Sequence, residues 1–144
     1  MRSKQFDEGM KVRREVLGDA YVDRAIAQAG EDTMFIQEFI TEAAWGGVWA
    51  RPGLDRRSRS LLNIGMLTAM NRLHELEIHV RGALTNGLTR HEILEALLHA
   101  AVYCGVPATL DGLRVARKVF AAVDAGGEAD AAGAGGGPGE RPDR

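Results

Sequence analysis

The apolar residues of this chain recur at intervals of three and four from near its start to about residue 124, the period of one face of an α-helix. In "FDEGMKVRREVLG", Phe6, Met10, Arg13 and Leu17 share a face, and Gly18 stands where the helix can end. "DAYVDRAIAQA" predicts a second, short helix with Tyr21, Val22 and Ile26 on its apolar side. "DTMFIQEFITEAAWGGVW" starts at Asp32, a good N-cap, and repeats Phe35, Ile36, Phe39, Ile40 and Ala43 at helical spacing. Gly46-Gly47 is expected to weaken its last turn, and "ARPGL" to break the chain.

The next helix is expected from Asp55, a second N-cap. Its "SLLNIGMLTAM" is apolar almost all round and predicts a central, buried helix. "RLHELEIHVRGALTNG" carries Leu73, Leu76, Val80, Ala83 and Leu84 as its stripe and stops at Asn86-Gly87. Thr89 and Glu92 have capping-box spacing and open a second buried helix, "ILEALLHAAVYC", which "GVPA" breaks. "TLDGLRVARKVFAAV" closes the domain on Leu110, Leu113, Ala116, Val119 and Phe120, with Val115 partly included. No segment alternates with a period of two, so the fold class is all-α, a compact multi-helix bundle. Two helices apolar on nearly every side are a great deal for so small a domain, and a homo-oligomer is expected to cover part of them.

Residues 1–124 therefore form one domain, and 125–144, "AGGEADAAGAGGGPGERPDR", a tail. Twelve of its twenty residues are Gly or Ala and none has a large apolar side chain, so the tail is expected to be flexible and dispensable. The net charge of −2 and pI near 6.1 argue against nucleic-acid binding. The single cysteine, Cys104, excludes an intramolecular disulfide and a CxxC redox pair. The N-terminal stretch lacks an apolar signal core, and the longest apolar run is shorter than the ~20 residues of a membrane span, so a cytoplasmic protein with no membrane partner is expected.

His79 is the first candidate for chemistry. It lies roughly 90° from the middle of its helix's apolar stripe, with Glu75 and Arg72 on the same side. A border histidine oriented by a carboxylate suits a general acid or base, and the same i, i+4 spacing equally describes a solvated surface pair. Glu95 and His99 repeat it one helix later, so spacing does not choose between the two histidines; His74 and His91 lie among charges and read as solvated. Arg51, Arg56, Arg57 and Arg59 surround a loop entering a helix N-terminus, a place suited to a carboxylate or to water. Trp45 and Trp49, four apart, read as core anchors or pocket walls. Asn63, mid-helix in an apolar run, needs a partner if buried.

Three stretches together, "AWGGVWARPGLDRRSRSLL", "ELEIHVRGALTNGLTRHEI" and "AVYCGVPA", resemble the carboxymuconolactone decarboxylase family, and "GMKVRREVLGDAYVDRA" fits its dedicated decarboxylases. The resemblance implies the all-α fold of the alkylhydroperoxidase-D-like proteins, as a trimer or hexamer. Those relatives use a CxxC pair and a histidine; Arg72 and Glu75 stand at the two cysteine positions, His79 at the histidine, and Ser60 at their relay glutamate. Redox chemistry through that pair is thereby removed, and the tie between His79 and His99 breaks in favour of His79. After "GVPA" the chain departs from the family with "TLDGL". The implied reaction converts 4-carboxymuconolactone, a small anionic lactone, to the enol-lactone of 3-oxoadipate in protocatechuate breakdown, the β-ketoadipate pathway. The lactone is its own electron sink, so no cofactor and no metal is expected. His79 is expected to protonate carbon or polarise the lactone carbonyl, with Glu75 orienting it. Arg51 and Arg72 are candidate carboxylate binders, and Trp45 and Tyr103 candidate pocket walls. The alternatives are a decarboxylase or isomerase of a related lactone, and an oligomeric binding module without catalysis.

Overall fold

The structure, a computed structural model, describes residues 1–126. These form α1 (Lys4–Leu17), α2 (Asp19–Phe39), a π-helix (Ile40–Trp49), α3 (Arg56–Ala69), α4 (Leu73–Thr85), α5 (Arg90–Cys104) and α6 (Val106–Asp124), with no strand among them. No described helix is long and apolar enough to cross a membrane. Of the expected tail, only Ala125 and Gly126 fall among the described residues.

Local chemistry sets the helix ends. The Ser3 hydroxyl accepts a hydrogen bond from the Phe6 amide, and Gly18 closes α1 at φ 86°. Asp55 caps α3 by accepting from the Ser58 amide at 2.7 Å. Thr89 and Glu92 form the expected reciprocal capping box on α5. Two boundaries differ from expectation. The break expected at Asp32 falls at Gly30, whose φ of 65° interrupts α2. Gly105, at φ 96°, separates α5 from α6, which starts at Val106, three residues before the expected "TLDGL" segment.

The Gly46-Gly47 segment does not weaken its helix; it lets the chain continue in a wider winding up to Trp49. The Ala50 amide bonds the Trp45 carbonyl five residues back, at 2.9 Å, in the π-helical pattern. Gly46 is required there, because a Cβ would collide with the backbone of Gln5 on α1. The two backbones meet at this point, and Val12, Val16, Trp45 and Trp49 close over the contact as a small apolar core. Beside it, Arg13 is 4 % exposed and donates to the Thr41 hydroxyl and to Gln37 Oε1, pinning α1 to the α2–π-helix junction.

A second, larger core gathers Ile64 of α3, Leu76, Val80 and Ala83 of α4, Leu88 of the α4–α5 turn, Ile93 and Leu97 of α5, and Ala116, Val119 and Phe120 of α6. Within the single chain, α3 and α5 are buried on one stripe only. α3 buries Ser60, Ile64 and Thr68 and leaves Leu61, Leu62, Met66 and Met70 exposed. α5 buries Ile93, Leu97 and Ala100 and leaves Leu94, Leu98, Val102 and Tyr103 exposed. Each helix at the outside of a bundle this small turns one stripe inward. The outer stripes of α3 and α5 line an apolar cleft of about 770 Å³. The apolar stripe of late α2 is uncovered too, with Phe35, Ile36 and Phe39 all exposed.

Candidate active site

His79 sits where the two cores meet. Its helix, α4, buries Leu76 and Val80 in the larger core, and the border position turns the imidazole toward the smaller one. There it stacks on both indoles: the ring centroids of Trp45 and Trp49 lie 6.4 and 6.0 Å away, with interplanar angles of 12° and 17°. The indoles stack on each other at 4.9 Å. The widened winding of the π-helix presents both on one side, so the glycine pair and the tryptophan pair form a single device.

The imidazole is half-buried and has one polar side-chain partner on another helix. Asn63 Nδ2 of α3 lies 3.2 Å from His79 Nδ1. Burial among indoles pushes the His79 pKa down to about 4, with the Glu75 charge acting in the opposite direction. The ring is therefore neutral at pH 7. Glu75 is exposed, one turn before His79, and reaches it through its charge.

The arginines separate by what already holds them. Arg56 pairs with Glu15 at 2.7 Å and Arg57 with Glu92 at 2.6 Å. Arg59 donates to the backbone carbonyl of Arg51 at 3.3 Å. Arg51 and Arg72 are exposed, and neither is within ion-pair distance of a carboxylate among the described residues. Arg51 follows the tryptophan pair by two residues, and Arg72 is the N-cap of the His79 helix. Two guanidiniums thus flank the elements that hold the imidazole, each open to an anion.

Tyr103 is not part of this cluster. It lies on the outward face of α5, 79 % exposed, with its ring 5.1 Å from that of His99, and it lines the apolar cleft between α3 and α5. The inward stripe of Ile93, Leu97 and Ala100 continues at Cys104, which puts Tyr103 roughly 90° away from its middle. His91 is solvated as expected and pairs with Glu95 at 3.7 Å. The hydrogen bond from Asn63 to His79 is not legible in the sequence. An amide inside an apolar run signals a need for a partner, and only packing of α3 on α4 identifies which.

The chemistry available here is that of a neutral, half-buried imidazole stacked on aromatic rings. It suits hydrogen-bond assistance to an oxygen on which negative charge develops during reaction. Comparison with known proteins agrees with that chemistry. Residues 36–118 match the carboxymuconolactone decarboxylase family. The chain is 50% identical over 120 residues to nitrosuccinic acid decarboxylase of Metarhizium robertsii, covering 83% of this chain and 84% of that one. It is 40% identical over 117 residues to 4-carboxymuconolactone decarboxylase of Acinetobacter baylyi, covering 81% and 87%. The matched residues span the π-helix, Arg51, Arg72 and His79, and the chain belongs to the carboxymuconolactone decarboxylase family and is a carboxy-lyase.

Proposed function

We propose that this chain removes CO2, without a cofactor, from a small dianionic acid that contains its own electron sink, and that 4-carboxymuconolactone is that acid. The observation carrying the proposal is the neutral His79, stacked on two tryptophans, with Arg51 and Arg72 on the flanking elements. In this substrate the departing carboxylate sits on a ring carbon gamma to the lactone carbonyl. As the bond to CO2 breaks, its electron pair flows through the ring double bond to the carbonyl oxygen. The resulting dienolate takes one proton on carbon to give the enol-lactone of 3-oxoadipate, the step expected in protocatechuate breakdown.

His79 acts at the oxygen. A ring with a pKa near 4 carries no acidic proton to spare at pH 7, which favours polarising the carbonyl over protonating carbon. One such donor is worth about 3–4 kcal/mol of transition-state stabilisation. Arg51 or Arg72 holds the carboxylate that stays, and Trp45 with Trp49 keeps water from the one that leaves. Glu75 supports the imidazole through its charge.

A second reading rests on the relative named for nitrosuccinic acid. That acid also has two carboxylates, one on the carbon bearing the nitro group, and its loss would send the electron pair into the nitro oxygens. The same three demands recur, so the same residues serve. The uncovered apolar stripes of α2, α3 and α5 support a homo-oligomer, with three or six subunits as the expected count.

The test is CO2 release from each acid by the full chain, with and without a chelator, with ultraviolet loss of the lactone followed in parallel. Chelator-resistant turnover of the lactone supports the first reading, and turnover of nitrosuccinate alone supports the second. Binding of both without turnover favours the non-catalytic module.

A further inference from the structure

We infer that Asn63 is a positioning residue that holds the His79 imidazole in its Nε2–H form, so that the nitrogen left for substrate donates a hydrogen bond. An amide nitrogen can only donate, and Asn63 Nδ2 faces Nδ1 at 3.2 Å. The nitrogen that receives this bond carries a lone pair, so the single proton of the neutral ring resides on Nε2. The surroundings supply no competing instruction. From the π-helix the ring meets Trp45 and Trp49, and from α3 it meets Asn63, all uncharged. Among the described residues, Glu75, on His79's own helix, is the one charged residue acting on it, and that carboxylate is exposed.

The consequence for catalysis rests on the decarboxylase reading. Charge collects on an oxygen of the substrate's electron sink as CO2 departs. An Nε2–H aimed at that oxygen stabilises it. The opposite tautomer would present a lone pair to a growing negative charge and oppose the reaction. Asn63 therefore decides whether the same histidine assists or hinders, without itself touching substrate. It stands 16 residues before His79, on a different helix, so no local motif records the pair.

The test is the nitrogen chemical shifts of the His79 ring in the ¹⁵N-labelled full chain at pH 7, alongside turnover. In the parent protein, Nδ1 is expected at the unprotonated position and Nε2 at the protonated one. Asn63→Asp offers an acceptor instead and is expected to reverse the two, lowering kcat by roughly 100-fold with KM little changed. Asn63→Leu removes the bond and is expected to give a mixture of tautomers with an intermediate kcat. A parent ring protonated at Nδ1 overturns the inference, and so does an Asn63→Leu ring with unchanged shifts and parental kcat. The parent spectrum needs no variant to fold. An Nε2–H ring in a chain that turns over neither acid would sink the decarboxylase reading alone, whereas turnover with an Nδ1–H ring would sink the role of Asn63 alone.

Discussion

Lowering the pH toward 4.5 should cost this protein stability through one identifiable histidine. Burial against the stacked Trp45 and Trp49 takes the His79 pKa from 6.5 to about 4. Between those values the unfolded chain binds a proton at His79 that the folded chain refuses, so stability rises with pH across this window. The contribution is fully present above pH 6.5 and is lost as the pH falls toward 4. A tenfold difference in proton affinity between the two states is worth about 1.4 kcal/mol, and titration of both puts the loss at pH 4.5 near 2.5 kcal/mol. Carboxylates elsewhere titrate in the same range, so the informative quantity is a difference of differences. Urea unfolding of the parent and of His79→Gln, at one protein concentration, gives the stability of each at pH 7 and pH 4.5. The gap between the two proteins is expected to change by about 2.5 kcal/mol in favour of the variant as the pH is lowered. A gap constant within about 0.5 kcal/mol would refute the claim that the indole stack desolvates this ring.

Four other outcomes follow from the same geometry. His79→Gln is expected to lower kcat by about 100- to 1,000-fold on whichever acid is turned over; near-normal kcat would remove His79 from the mechanism. Arg51→Ala and Arg72→Ala are each expected to raise KM, about 10- to 100-fold for the arginine that holds the retained carboxylate, and an unchanged KM in both would show that neither does. Gly46→Ala adds a Cβ against the Gln5 backbone and is expected to destabilise the fold by at least ~2 kcal/mol, despite alanine's better helix propensity; a variant as stable as the parent in thermal unfolding would contradict the close approach of α1. Phe39→Glu, on the uncovered stripe of α2, is expected to shift sedimentation toward smaller species, and an unaltered profile would take that face out of the interface.

Much of the architecture is legible from residue order because helices are local objects. Capping at Asp55 and at Thr89 with Glu92, the stops at Gly18 and Asn86-Gly87, and the buried stripe of Leu76, Val80 and Ala83 all depend on neighbours within one or two turns. Such features are written into spacing. Sequence and structure part where local and distant demands differ. Gly46 reads as a helix breaker by propensity, yet its missing side chain is what lets α1 approach, and packing outweighs about 1 kcal/mol of propensity. The all-round apolar character of α3 and α5 reads as burial, but hydrophobicity does not say whether the cover comes from the same chain.

The same division holds at the site. Sequence by itself marked His79 as a border residue and Arg51 among four arginines, and it left His79 level with His99 until the resemblance to a family separated them. Tertiary structure alone decided that His79 is half-buried and neutral, because the rings that stack on it, Trp45 and Trp49, lie about thirty residues or more away in the chain. It alone engaged Arg56 and Arg57 with Glu15 and Glu92 and left Arg51 and Arg72 without a carboxylate among the described residues. It moved Tyr103 to the outer cleft and brought Asn63 to Nδ1. The physical reason is common to all of these. Spacing fixes which face of a helix a residue occupies, while its protonation and its partners depend on what the rest of the chain folds against that face.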